Sequence, residues 1–103
     1  MAKKKYEYLQ ELKANENLKL FISRLIEIRM KKGFSQIRLS KEANVNLSMV
    51  NEIENFKTMP SLDIICRLAK AMSVSPAQFF IDNKDEDLED LIHLRYLQNK
   101  AKK

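Results

Sequence analysis

A stretch in the middle of the chain decides the fold: residues 35–55, which read SQIRLSKEANVNLSMVNEIEN. Ser35 occupies the position of a helix N-cap, and the apolar residues that follow it are four apart, as on one face of a short helix. Asn44 ends that helix, because asparagine tolerates the left-handed backbone of a tight turn. Asn46 is a second N-cap and begins a helix over residues 47–55. Two short helices joined by a tight turn have the layout of a helix-turn-helix.

Helical periodicity also precedes this stretch. The apolar stripe consists of Leu18, Phe21, Ile22, Leu25 and Ile28. Two lysines followed by Gly33 mark the end of this helix near residue 32, and Asn15 is a candidate cap at its start. We expect residues 6–14 to form an arm or a short extra helix. The apolar side chains that would pack this segment are Tyr6, Leu9 and Leu12.

Two further helices are predicted after the central stretch. Pro60 and Ser61 begin the first, and the pair Ser75 and Pro76 begins a short second helix that ends in two phenylalanines. The inward face of the first is predicted to be Leu62, Ile65, Leu68, Ala69 and Met72. Sulfur-containing side chains are also expected in the core, namely Cys66, Met30, Met59 and Met72.

Composition agrees with a helical domain. The 103 residues include one Gly and two Pro, too few for the many turns of an all-β fold. One Cys allows no intramolecular disulfide and fits a reducing compartment, so we expect a cytoplasmic protein. No apolar run approaches the roughly 20 residues of a membrane span, so no membrane partner is expected. The fold class predicted is therefore all-α, in one domain.

The net charge of +5 is unevenly distributed. Residues 1–34 hold nine basic and four acidic side chains, whereas residues 35–83 and residues 84–103 each hold five of both kinds. The excess begins with Lys3, Lys4 and Lys5. A basic arm of this kind attracts phosphate irrespective of sequence, although a short lysine run is also typical of a solvated terminus.

The C-terminal segment, residues 83–103, begins with acidic residues and ends with basic ones, which suits the dipole of a helix. Its apolar residues are Leu88, Leu91, Ile92, Leu94 and Leu97. Because this apolar side is wider than a solvated terminus needs, we expect a sixth helix that serves as a dimerisation or packing element.

The chain resembles the lambda-repressor-like family, which includes Cro, the phage repressors and XRE proteins, in register over residues 18–80. The residues that carry the resemblance are Arg29, Gly33, Ser35, Gln36, Leu39, Ala43, Val45, Val50, Ile53, Glu54, Pro60, Ser61, Leu62, Leu68, Ala69, Val74 and Ser75. The resemblance implies a compact five-helix DNA-binding domain over residues 17–82, with residues 1–16 as the basic arm or short helix. It also implies that Arg29 and Glu54 form a structural ion pair.

The resemblance places a DNA-reading face on the second helix of the motif. There Val50 and Ile53 point inward, which leaves the other side of this helix available to a ligand. The predicted DNA contacts are Ser35, Gln36, Asn46, Leu47, Ser48, Met49, Asn51, Glu52, Asn55, Lys57, Thr58, Lys3, Lys4 and Lys5. By chemistry, Leu47 or Met49 could pack on thymine methyl groups, Asn51 could read adenine, and Glu52 could accept from a cytosine amino group.

Three positions depart from the family pattern. Asn44 holds the turn position that is usually glycine, and asparagine tolerates the backbone of that turn. Ser40 replaces a small apolar residue and must find a hydrogen bond if it is buried. Phe56 stands where glycine usually closes the recognition helix, so either Asn55 supplies the turn or the loop follows another path.

The function predicted is sequence-specific transcription regulation, as in phage-type repressors or restriction–modification controllers, by a homodimer on palindromic double-stranded DNA. The predicted dimer interface is Phe79, Phe80, Leu88, Leu91, Ile92 and Leu97. For Phe79 and Phe80 two alternatives stay open, core residues alone or core residues that also contact the partner. A protein-interaction module, such as an antitoxin or anti-repressor with the motif as scaffold, is the alternative, because Glu52 makes the reading face acidic. With His93 as the only histidine, no catalytic site, metal, cofactor or small-molecule ligand is predicted.

Overall fold

The computed structural model describes residues 4–82. Within them all regular structure is helical: α1 Lys5–Ala14, α2 Glu16–Lys31, α3 Gln36–Ala43, α4 Leu47–Glu54, α5 Leu62–Ala71 and a 3₁₀ helix Pro76–Phe80. The all-α class is therefore confirmed, and residues 6–14 adopt the helical alternative. The predictions for Lys3, Leu88, Leu91, Ile92 and Leu97 lie outside the described residues. No helix of residues 4–82 is long and apolar enough to cross a membrane.

Serine and asparagine side chains begin the helices where the sequence predicts them. Ser35 Oγ accepts a hydrogen bond from the Arg38 amide at 3.0 Å, and Asn15 Oδ1 accepts one from the Leu18 amide at 3.0 Å. Asn15 both ends α1 and begins α2, so a single residue joins the two helices. Asn46 lies at the N-cap of α4 without a capping side-chain hydrogen bond.

Within residues 4–82, a left-handed residue follows each of the helices α2 to α5, and one of these four residues is glycine: Gly33, Asn44, Phe56 and Ser73. The left-handed residue after α4 is Phe56, which has φ of 60°. Asn55 has φ of −102° and therefore does not supply the turn. The Lys57 amide donates to the Glu52 carbonyl at 2.9 Å, as in a Schellman turn. The ring of Phe56 packs against the core, and this contact offsets part of the cost of its backbone conformation.

The core is formed by one face of every α-helix together with Phe79. Ser40 is buried, and its hydroxyl donates to the Ile37 carbonyl at 2.7 Å, so the hydrogen bond that a buried serine needs is present. Phe79 has no exposed surface and meets the Phe21 ring edge to face, with centroids 5.2 Å apart. Of the two alternatives for Phe79, a core residue or a core residue that also contacts a second copy, its complete burial favours the first. Its neighbour Phe80 stacks on Phe21 and remains 48% exposed.

Several residues predicted in the core lie at the surface. They are Tyr6, Leu62, Cys66, Met30 and Met59. Met30 follows the buried Ile28 by two residues, about 200° around the helix, and so faces away from the core. Leu62, in the first turn of α5, lies before the part of that helix that reaches the core, where Leu68 is fully buried.

The 3₁₀ helix is attached to the first half of α2. Arg24 is nearly buried, and its Nε donates to the Gln78 carbonyl at 3.0 Å. The Arg24 guanidinium also pairs with Glu27 at 3.0 Å. This contact and the two phenylalanines fix the 3₁₀ helix against α2.

Candidate nucleic-acid interface

A surface cleft lies between the beginnings of α3 and α4, and we call it the α3–α4 cleft. Its lining residues are Arg29, Ser35, Gln36, Ile37, Leu47, Ser48 and Asn51. Five of these are predicted DNA contacts, and they come from two helices on either side of the Asn44 turn. Asn44 has φ of 55° and ψ of 49°, which redirects the chain sharply enough to bring the two helix starts together.

The predicted ion pair is present beneath the cleft. Arg29 Nε donates to Glu54 Oε2 at 2.7 Å, and Arg29 Nη2 donates to Glu54 Oε1 at 2.9 Å. A third bond from Arg29 Nη1 reaches the Phe34 carbonyl at 2.9 Å. The Glu54 side chain is only 5% exposed and the Arg29 side chain 14%. This paired geometry fixes α2, α4 and the α2–α3 turn relative to one another.

A chain of hydrogen bonds continues from this ion pair to the surface. Gln36 Nε2 donates to Glu54 Oε1 at 2.9 Å, and Asn51 Nδ2 donates to Gln36 Oε1 at 3.3 Å. Two predicted DNA contacts on different helices are therefore bonded to each other. Each amide keeps at least one donor hydrogen and one acceptor lone pair, so both can still bind a further polar group.

The solvent-facing side of α4 is close to the predicted one. Leu47 is 43% exposed, and Ser48, Asn51 and Glu52 are exposed as well. Met49 is half-buried and packs against the core, so it is less exposed than the other residues of the predicted face. Met49 lies one turn before Ile53, on the inward side of the helix. The flexible side chain of Met49 reaches the edge of the core.

Ile37 was not among the predicted contacts, yet it lines the cleft and is 53% exposed. The signal was available in the sequence: Ile37 precedes the buried Leu39 by two residues and therefore lies on the far side of α3. The predicted DNA contacts include exposed apolar residues from the second helix of the motif and none from the first.

The predicted contacts after α4 are not among the residues that line the cleft. Asn55 and Lys57 are exposed, whereas Thr58 is half-buried. Asn55 Nδ2 donates to the Asn51 carbonyl at 2.8 Å, so its side chain closes the end of α4. At the other end of the sequence, Lys4 and Lys5 are exposed at the beginning of α1, which contributes no residue to the lining of the cleft.

Exposed cationic side chains on α2, on α3 and after α4 differ in whether they form ion pairs. Lys31 pairs with Glu27 at 2.8 Å, and Arg38 bonds Glu42 at 3.1 Å while its guanidinium lies 3.9 Å from the centre of the Phe34 ring. The exposed cations without an ion pair inside residues 4–82 include Lys32, Lys41 and Lys57. No group of three or more metal-ligating residues occurs in the described part of the chain.

Comparisons with known proteins agree with this architecture. The family model named Helix-turn-helix (HTH_3) matches residues 25–79. The chain is similar to the restriction-modification controller protein C.AhdI from Aeromonas hydrophila, with 33% sequence identity, a TM-score of 0.61, and coverage of 64% of this chain and 100% of that one.

A second solved structure has the same fold at lower identity. It is the hypothetical transcription factor NHTF from Neisseria, with 22% identity, a TM-score of 0.65, and coverage of 72% of this chain and 84% of that one. No curated protein matches the chain significantly.

Proposed function

The chain belongs to the helix-turn-helix family, as its resemblance to lambda-repressor-like proteins predicted, and from this premise we propose that it is a DNA-binding transcription regulator. It binds double-stranded DNA as a homodimer on a palindromic operator, with α4 in the major groove. The similarity to C.AhdI favours a role like that of a restriction–modification controller over that of a phage-type repressor. Regulation of this kind needs no enzymatic step and takes place in the cytoplasm, where the DNA is.

The observation that carries the proposal is the α3–α4 cleft with its reading residues anchored to a buried ion pair. An eight-residue helix is about 12 Å long, comparable to the width of the major groove. Gln36 and Asn51 are held in place before any ligand arrives, which limits the side-chain entropy lost on binding. Base edges need directed donors and acceptors of this kind.

Phosphate contacts come from the surroundings of the cleft. The Ser35-capped start of α3 presents backbone amides and the positive end of the helix dipole, which suit a phosphate. Lys41 lies one turn after Ile37 on α3, and Lys57 follows the end of α4. The arm residues Lys3, Lys4 and Lys5 add sequence-independent attraction.

A homodimer follows from the size of the reading surface, because one small domain contacts too few base pairs for useful specificity. Two copies related by a two-fold axis would read half-sites about 10–10.5 bp apart. For the interface we propose Phe80 together with Leu88, Leu91, Ile92 and Leu97. Phe80 borders an apolar groove that is also lined by Leu18, Phe21, Met59, Pro60 and Ile65.

A protein-interaction module, such as an antitoxin or anti-repressor, is the second candidate. The exposed Glu52 favours it, because α4 carries two glutamates and neither lysine nor arginine. In the DNA-binding proposal Glu52 instead accepts from a cytosine amino group.

Binding of the full-length chain to duplex DNA, measured as a function of salt, distinguishes the two candidates. A regulator retains random duplex at low salt, loses affinity steeply as salt rises, and selects a palindrome from a randomised duplex pool. Failure to retain any duplex at low salt would reject the DNA-binding proposal in favour of the interaction module.

Single lysine substitutions refine this experiment. Lys41→Gln should reduce the slope of log affinity against log salt by about 0.9 for each phosphate that the variant no longer neutralises. Lys70→Gln is the matched control, because Lys70 lies on α5 and lines a different surface pocket. Light scattering on the same samples gives the oligomeric state.

A further inference from the structure

We propose that Ile37 and Leu47 together read the C5-methyl group of a pyrimidine in the major groove. The group belongs to thymine or, with the same shape and chemistry, to 5-methylcytosine. This inference rests on the proposed function and deepens it, since it assigns a base feature to the α3–α4 cleft and adds a specificity-determining residue from α3.

The two side chains are exposed without a role in the core. Ile37 is 53% exposed and Leu47 is 43% exposed, and both line the same cleft from opposite helices. The core faces of their helices are formed by other residues, namely Leu39, Ser40 and Ala43 on α3 and Val50, Ile53 and Glu54 on α4. Folding alone therefore does not explain two branched aliphatic side chains at this position.

Their surroundings identify the ligand. The other residues of the lining are polar: Arg29, Ser35, Gln36, Ser48 and Asn51. An aliphatic pair that shares its cleft with polar side chains fits a small apolar group that itself lies beside polar atoms. In the major groove the C5-methyl group is the one apolar feature of the base edges, and it lies beside carbonyl, amino and ring-nitrogen groups.

The local structure holds the pair in place. Ile37 follows Gln36, which is bonded to Glu54, and its own carbonyl accepts from the buried Ser40 hydroxyl at 2.7 Å. Isoleucine is β-branched and has few rotamers to lose. Leu47 is the first residue of α4, directly after the extended backbone of Asn46. Met49, the other candidate for methyl contact from the sequence, is half-buried and packs on the core instead.

The test uses operator duplexes obtained by selection with the full-length chain. Each thymine is replaced in turn by deoxyuridine, which removes only the methyl group. We expect at least one position in each half-site where this replacement weakens binding about fourfold, the factor for burying one methyl-sized group. Replacing cytosines by 5-methylcytosine in parallel duplexes identifies the alternative source of the methyl group, which would then strengthen binding.

Single alanine substitutions test which side chains contact the methyl group. Ile37→Ala and Leu47→Ala should bind the methylated and unmethylated duplexes with more nearly equal affinity than the parent chain does. Leu62→Ala is the matched control, because Leu62 is 73% exposed but lies on α5 outside the cleft, and it should keep the full discrimination. Urea unfolding of each variant shows whether its fold is intact.

The outcomes separate this inference from the proposed function. If a duplex is selected but no thymine or 5-methylcytosine position responds to the methyl group, methyl reading is wrong and DNA binding stands. Full methyl discrimination in folded Ile37→Ala and Leu47→Ala variants would also overturn the inference. If no duplex is selected at low salt, the proposed function fails and the inference fails with it.

Discussion

Two regions of this molecule expose large apolar side chains to a similar degree. In the α3–α4 cleft, Leu47 is 43% exposed. At the aromatic end, which we define as Phe21, Phe79 and Phe80, the half-exposed residue is Phe80 at 48%. The neighbours differ, because the other residues that line the cleft are polar, whereas Phe80 borders a groove lined mainly by apolar residues.

The difference shows that exposure alone does not identify a partner. Polar groups around a small apolar pair suit base edges, which mix both kinds of atom. A continuous apolar surface is best covered by another apolar surface, as in a dimer. The regions are also held differently, since the cleft is anchored by a buried, doubly bonded ion pair, whereas the aromatic end combines ring contacts with a hydrogen bond from Arg24 to the Gln78 carbonyl.

The largest expected effect is at the aromatic end. Phe79→Ala should lower the free energy of unfolding by about 4 kcal/mol, because it removes a fully buried ring and leaves a cavity. Phe80→Ala should lower the free energy of unfolding of the monomer by only about 1–2 kcal/mol, since half of that ring is already in water. The same substitution should weaken dimerisation at least tenfold.

Urea unfolding at two protein concentrations a hundredfold apart separates the two contributions, because dimerisation stabilises the fold in a concentration-dependent way. A Phe80→Ala variant that dimerises like the parent chain would remove Phe80 from the proposed interface. Equal destabilisation by the two substitutions would contradict the distinction between core and surface phenylalanine.

The next effect tests the anchor of the α3–α4 cleft. Glu54→Ala leaves the Arg29 guanidinium without its carboxylate partner and should lower the free energy of unfolding by about 3 kcal/mol. It also removes the acceptor for Gln36, so the salt-independent part of operator affinity should fall. Chemical denaturation and operator titration give the two quantities.

Glu52→Ala is the matched control, because Glu52 is an exposed glutamate on the same helix and its removal should change stability by less than about 0.5 kcal/mol. Equal stability of the Glu54→Ala and Glu52→Ala variants would show that the buried pair does not hold the cleft together.

Helix positions could be predicted from the sequence because local chemistry decides them. Ser35, Asn15 and Ser61 accept the capping bonds expected of them, and Asn44 adopts the left-handed turn. Apolar spacing identified most of the core, since a 3.6-residue period leaves one face for burial. The Arg29–Glu54 pair, however, rested on resemblance to a family, because no local pattern joins residues so far apart in the sequence.

The errors arose where burial depends on how much of a helix its neighbours cover. Cys66 on α5 and Met49 on α4 both lie near the boundary between the apolar and polar faces of their helices. The structure leaves Cys66 exposed and Met49 half-buried. Ile37 was overlooked, although its position relative to Leu39 was informative. The positive φ of Phe56 could not be chosen from sequence, because Asn55 is the better intrinsic candidate and tertiary packing of the ring decides the matter.

A smaller effect concerns the turns that lead into the two regions. The chain enters α4 after Asn44, with φ of 55°, and the 3₁₀ helix after Ser73, with φ of 59°. Asparagine tolerates this backbone better than serine does. Ser73→Gly should therefore raise the free energy of unfolding by about 0.5–1 kcal/mol, and Asn44→Gly should raise it less. Thermal unfolding of both variants measures the difference, and a larger gain at Asn44 would contradict this ranking.

The smallest expected effect is at Glu27, which connects the two regions along α2. The hydrogen bond from Lys31 lowers the pKa of the Glu27 carboxyl below its ordinary 4.5, and Arg24 adds to this while burial opposes it. Because the folded pKa is lower than the unfolded one, the carboxylate stabilises the fold above pH 4.5, and this stability is lost as the pH falls through the folded pKa.

Glu27→Gln should thus lower the free energy of unfolding by only a few tenths of a kcal/mol at pH 7, since the pair is partly solvated. The difference between parent and variant should shrink as denaturation is repeated from pH 6 down to pH 3. Because Arg24 also holds the Gln78 carbonyl, any weakening should appear as faster amide hydrogen exchange in the 3₁₀ helix and leave the α3–α4 cleft unchanged. Faster exchange in α4 instead would mean that the two regions are coupled through α2.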